Sequence, residues 1–82
     1  MKILKFSASW CGPCKMLSMT IASIKDEIPY SVEEIDVDTD SKLAQKFGIR
    51  GVPTIILMDG DTEVKRKVGS MSLNELKTFV GI

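Results

Sequence analysis

The chain has no histidine. That removes the commonest general base and the commonest metal ligand from any site it builds. It has no net charge either, since 11 Lys and Arg offset 11 Asp and Glu. A balance of that kind supports neither nucleic acid nor a membrane surface as partner. Long apolar runs are also missing. The longest, Val52 to Met58, is interrupted by Pro53 and Thr54 and falls far short of the ~20 residues a membrane span needs. The first residues, Met1-Lys2-Ile3-Leu4-Lys5-Phe6, lack the apolar core and small-residue cleavage site of a signal peptide, so the expectation is a cytoplasmic chain. Cysteine is scarce, with only Cys11 and Cys14. In a reducing compartment a lone pair serves catalysis or metal binding more readily than it serves as a permanent staple.

What is present is enough for one domain, residues 1–82, of ordinary globular composition with 44% hydrophobic and 27% charged residues. A chain of this size hides only a little over ~60% of its unfolded surface, so its core margin is thin. Residues 2–8 are mostly apolar and read as a strand covered on both faces. Pro13 suits a first helical turn. Leu17, Ile21, Ile24 and Ile28 recur at helical spacing until Pro29 closes the pattern. Residues 31–37 form a second short strand with acidic residues interleaved. Residues 38–41 offer N-caps for a helix carrying Leu43, Ala44 and Phe47 and stopped by Gly48.

Residues 54–58 are the most strand-like run in the chain. Asp59-Gly60 then turns into an alternating, basic strand over 62–68, suited to a sheet edge. Ser72-Leu73-Asn74-Glu75 is a capping box for a final helix with Leu73, Leu76, Phe79 and Val80 as its buried stripe. The fold class is α/β, a mixed four-stranded sheet between three helices.

Two cysteines three apart at a helix mouth have Cα atoms near the ~5.5–6 Å that a disulfide prefers. Cys11 at the helix N-terminus gains thiolate character from unpaired backbone N–H groups and the helix dipole, and the thiolate is the attacking species. Cys14, one turn in, suits resolving a mixed disulfide from within. A structural zinc site needs four ligands, so two cysteines reach that use only across a dimer.

Trp10-Cys11-Gly12-Pro13-Cys14-Lys15 resembles the active site of the thioredoxin family, where glutaredoxins usually place Pro-Tyr between the cysteines. Gly48-Ile49-Arg50-Gly51-Val52-Pro53-Thr54 is similar to the segment that carries that family's cis-proline, and Val68-Gly69-Ser70 resembles the third loop of its substrate surface. The resemblance covers nearly the whole chain but begins at the strand before the cysteines. The family's usual first strand and helix are lacking, which brings the length closer to glutaredoxins.

The resemblance implies a protein disulfide reductase working through a redox-active Cys11-Cys14 disulfide, with no other cofactor and no metal. It implies a cis Val52-Pro53 bond and a docking surface of Trp10, Ile49, Gly51, Val52, Pro53 and Gly69, mostly apolar and uncharged, with Trp10 an exposed rim and Gly12 and Pro13 shaping the turn. It further implies a monomer, disulfide-containing protein substrates, and thioredoxin reductase or glutathione as electron donor. Two other readings stay open: a glutathione-linked glutaredoxin-like reductase, and a thioredoxin-fold binding subunit of a larger assembly.

Two departures carry information. Thioredoxins usually have an aspartate six positions before the first cysteine and a lysine on the neighbouring strand; here those positions hold Lys5 and Glu34. The two charges are exchanged. Either they form a reversed polar pair behind Cys14, or Lys5 snorkels to the surface and Glu34 is solvated. Ser7 stands where the family often has a second tryptophan, so Trp10 is the only one.

Overall fold

The computed structural model describes residues 1–82. Its central element is the strand β1, Lys2–Ser7, whose side chains beyond Lys2 are all buried. After it come helix α1 (Gly12–Ser23), a 3₁₀ turn at Lys25–Glu27, strand β2 (Ser31–Asp36), helix α2 (Ser41–Lys46), strands β3 (Thr54–Asp59) and β4 (Thr62–Val68), and helix α3 (Leu73–Val80). The sheet order is β2-β1-β3-β4, with β1 parallel to β2 and antiparallel to β3, and β3 antiparallel to β4. This is the mixed four-stranded sheet with three helices that the pattern implied.

Side-chain alternation on β1 and β3 divides the core in two. Ile3, Ile55 and Leu57 face Leu17 and Ile21 of α1 and Leu76, Phe79 and Val80 of α3. Leu4, Phe6, Ile56 and Met58 face the other way, toward Ala44 of α2 with Leu43 and Phe47 at its margin. Phe6 and Phe47 meet with ring centroids 5.6 Å apart in a tilted arrangement. Full burial of side chains this large stabilises by roughly 1.5–3 kcal/mol each. That is how the apolar side chains of β1 hold it between two layers. At the far edge β4 is exposed along its length. Arg66 secures it, donating to Glu63 and, at 2.8 Å, to the Phe47 carbonyl at the end of α2. The Glu63 hydrogen bond raises the guanidinium's proton affinity and in turn lowers that of the carboxyl.

Two expectations are corrected. The helical spacing from Leu17 to Ile28 does not make one helix, because α1 stops at Ser23 and Ile24 leaves helical geometry at φ −124°. Thr20 Oγ1 and Ser23 Oγ turn back onto the carbonyls of Met16 and Thr20. Hydroxyls that compete for helix carbonyls, beside β-branched Thr20 and Ile21, weaken the last turn. Ile24 and Ile28 are still buried, held to the same core through the tighter 3₁₀ turn.

Leu73 is the second correction. It sits at the first position of α3, 42% exposed, while Met71 before the cap takes the buried place. Met71 and Leu76 flank the Ser72 cap in one core cluster, a hydrophobic staple around the capping box. Within that box the Ser72 N–H, donating to Glu75 at 3.0 Å, is the main cause holding the Glu75 carboxyl below its ordinary 4.5.

Urea titration is expected to show Leu76→Ala costing about 2–5 kcal/mol and Leu73→Ala under about 0.5 kcal/mol. Equal losses would return Leu73 to the core. Because the Glu75 pKa is depressed on folding, its contribution is present above the unfolded value and fades as pH falls through the lower folded one. Unfolding curves of wild type and Glu75→Gln should therefore differ at neutral pH and converge on acidification below 4.5.

Candidate active site

The polypeptide leaves β1 at Ser7 and turns at once, the Cys11 N–H donating to the Ala8 carbonyl at 3.1 Å. Cys11 is the N-cap of α1, with extended backbone (φ −92°, ψ 107°). Gly12 and Pro13 open the helix, and Cys14 lies in its first turn, so no backbone bond is lost at the proline. The two cysteines are joined as a disulfide with Cα atoms 5.3 Å apart. The Cys14 N–H also donates to Cys11 Sγ at 3.1 Å. Both residues are buried, in a small cluster with Ala8 against which Val37 and Val52 pack. No acidic side chain stands in the first turn of α1 to oppose negative charge on the pair.

The loop before β3 faces this cluster. Val52-Pro53 is a cis bond, as the resemblance implied. Pro53 is buried and its carbonyl accepts from the Gly69 N–H at 2.8 Å; Gly69, at φ +93°, has the left-handed backbone that glycine adopts freely. Thr54 Oγ1 donates to the Gly51 carbonyl at 2.7 Å and closes the loop. Between these two ties, the N–H and C=O of Val52 have no partner within the chain.

A cleft runs along this side, lined by Trp10, Val37, Ile49, Arg50, Gly51 and Val52. Trp10 is 70% exposed, with its indole N–H donating to Asp38 Oδ2 at 2.9 Å. The cleft is less neutral than the sequence suggested, because Arg50 forms part of its wall. Gly69 lies outside the lining and acts on it through Pro53.

Behind the pair, Lys5 does not snorkel. Its side chain is 2% exposed, and Nζ donates to Ser18 Oγ at 2.6 Å and to Glu34 Oε1 at 3.2 Å. The parallel register sets Lys5 beside Glu34, whose carboxylate also accepts from Ser7 Oγ at 3.1 Å yet is 64% exposed. The sequence reading was thus half met on each side: a buried lysine paired with a largely solvated glutamate. Ser18 Oγ donates in turn to the Cys14 carbonyl at 3.0 Å. Lys5, Ser7, Ser18, Glu34, Asp36 and Cys14 share one cavity. Ser18 was missed by sequence reasoning, although its i+4 spacing from Cys14 placed it on the same helical face. Val37 and Arg50 of the cleft wall were missed too, as was Asp38, which holds the Trp10 indole.

Comparison with known proteins adds the family. The family model described as Thioredoxin matches residues 1–81. A thioredoxin of Chlamydia muridarum is 40% identical over 95% of this chain and 78% of its own length. A bifunctional thioredoxin reductase/thioredoxin of Mycobacterium leprae is 40% identical over 83% of this chain and 15% of its own. Among solved structures, a mutant thioredoxin from Halobacterium salinarum superposes with TM-score 0.88 at 36% identity, over 95% of this chain and 69% of that one. Sequence, architecture and the paired cysteines at the mouth of α1 agree, and this chain belongs to the thioredoxin family.

Proposed function

We propose that this chain reduces disulfides in other proteins, with Cys11 as the attacking sulfur and Cys14 as the resolving one. The observation that carries the reading is the Cys11-Cys14 pair at the mouth of α1, beside the unpaired backbone of Val52. In the reduced protein the Cys11 thiolate attacks one sulfur of a substrate disulfide. That bond breaks, a Cys11–substrate disulfide forms, and the other substrate sulfur leaves as a thiolate. Cys14 then attacks Cys11 Sγ, the first substrate sulfur leaves, and the pair ends oxidised, having given up two electrons. The Cys14 N–H already aims at Cys11 Sγ, and a hydrogen bond to a charged acceptor is stronger than one to a neutral one.

An extended substrate segment adds to the free N–H and C=O of Val52 in the manner of a sheet strand. Trp10, Ile49, Gly51 and Val52 give it an apolar wall, Arg50 a cation, and Gly69 holds Pro53 in place. Reducing equivalents come from a flavoprotein thioredoxin reductase. Support comes from the Mycobacterium leprae relative, whose name joins both activities in one polypeptide, and from Gly12-Pro13 between the cysteines. The chain acts as a monomer in the cytoplasm, with its own disulfide as the only redox group.

Insulin reduction driven by NADPH and a thioredoxin reductase should exceed that driven by glutathione and glutathione reductase; the reverse result assigns glutathione as donor. Cys14→Ser should trap a mixed disulfide with insulin visible on non-reducing gels, and Cys11→Ser should trap none. Trapping through Cys14 alone would reverse the two roles. Trp10→Ala is expected to raise KM for insulin several-fold while leaving reduction of a small aromatic disulfide within twofold. A matching loss on both substrates would move Trp10 from docking to the reacting sulfurs.

A further inference from the structure

Lys5 is the one fully buried charge in the chain, and disulfide exchange as written above makes no use of it. Its only carboxylate partner, Glu34, is largely in water and shares the same oxygen with Ser7. A solvated carboxylate compensates a buried ammonium poorly, because its field is screened while the ammonium's desolvation is not. The other charged groups on the cavity are Asp36 from β2 and Lys15 from α1. Asp36 accepts the Asp38 N–H on Oδ1 at 2.8 Å and makes no hydrogen bond or ion pair with Lys5, whose partners are Ser18 and Glu34. The Lys5 ammonium is therefore under-compensated while the cysteines are oxidised and neutral. Through the Ser18 hydroxyl it is held two hydrogen bonds from the turn that carries Cys14.

We infer that Lys5, positioned by Ser18, stabilises the reduced state of the Cys11-Cys14 pair and makes this protein more oxidising than its Gly-Pro spacing alone would set. The inference rests on the disulfide-exchange reading and names a positioning residue for it. Reduction by glutathione transfers two electrons and two protons from two glutathione thiols. The Cys11–Cys14 bond breaks, glutathione disulfide forms, and one cysteine releases its proton to solvent to leave a thiolate. That negative charge is added beside the cavity that Lys5 and Cys14 share. A nearby cation favours the thiolate, and a stabilised reduced form is what makes a dithiol pair a stronger oxidant. Glu34 works against the effect by drawing on the same ammonium.

The test is the equilibrium constant for reduction in glutathione buffers at pH 7, read by mass shift after thiol alkylation and by Trp10 fluorescence. Lys5→Met should lower the constant on the order of 10-fold. Ser18→Ala should lower it by less, since the charge remains and only its tether is lost. Glu34→Gln should raise it. Opposite signs for Lys5→Met and Glu34→Gln are not what general loosening of the fold produces, since that moves both variants alike. A Lys5→Met constant within twofold of wild type, or above it, overturns the inference, as does a lowered constant for Glu34→Gln. Should Lys5→Met fail to fold, Glu34→Gln decides alone, and an unchanged constant there overturns it. A wild type showing no two-electron transition removes the disulfide-exchange reading and this inference with it. A normal wild-type transition with unmoved variants removes only the role of Lys5.

Discussion

The double burial of β1 is the constraint on which the rest depends. It stands second in the sheet, between β2 and β3, so every side chain after Lys2 is buried: Ile3, Leu4 and Phe6 in the two cores, Lys5 and Ser7 on the cavity behind Cys14. Polar side chains in a strand placed there need partners, which Lys5 finds in Ser18 and Glu34 and Ser7 in Glu34, and the strand ends just before the cysteines. That end is Ser7, and the turn that follows delivers Cys11 to the cap of α1. The same strand holds Lys5 inside, its side chain 2% exposed and its Nζ donating to Ser18 of α1 and Glu34 of β2. One strand thus fixes where the sulfurs sit and what charge lies behind them.

Register then explains why the front of the site assembles from distant segments. Phe6 pairs with Thr54, and Thr54 pairs with Val68. Because these pairings are antiparallel, the residues after β1, before β3 and after β4 all emerge at one end of the sheet. Those residues include Cys11, Pro53 and Gly69. Their convergence needs no attraction between the loops. The hydrogen bond from Gly69 to Pro53 only finishes what the strand pairing has already arranged.

Local signals were the legible ones. The strand runs, the capping box at Ser72 and the cysteine spacing each depend on a few neighbouring residues and were read correctly, while the hairpin signalled by Asp59-Gly60 turns one residue later, at Gly60 and Asp61. The paired cysteines and cis Val52-Pro53 fall where the motif resemblance placed them. The failures are those of periodicity used beyond its reach. Ile24 and Ile28 keep helical spacing while the backbone does not, because burial constrains side chains and tolerates a 3₁₀ turn beneath them. Leu73 keeps the stripe's spacing but starts the helix, and the residue before the cap is the one that turns inward. Ser18 carries no motif and Arg50 stands inside the cis-proline segment without a role assigned to it, so only the packing of α1 on β1 and the path of the loop before β3 reveal them.

The energetics bind the hidden charge to the visible reaction. A domain of this size holds about 0.05–0.15 kcal/mol of stability per residue, and an imperfectly paired buried ion subtracts from it. An apolar residue in place of Lys5 would relieve the oxidised fold of that cost. Reduction relieves it differently, by placing a negative charge on the cysteine pair, whose Cys14 borders the same cavity. Folding and redox change share the oxidised folded state, so they form a closed thermodynamic cycle. Any destabilisation that Lys5 imposes on the oxidised protein and not on the reduced one must reappear, in equal amount, in the equilibrium of the cysteine pair. The part of that cost that differs between the two redox states therefore appears in both stability and oxidising strength, and the exchanged charges behind Cys14 act on both through a single ammonium.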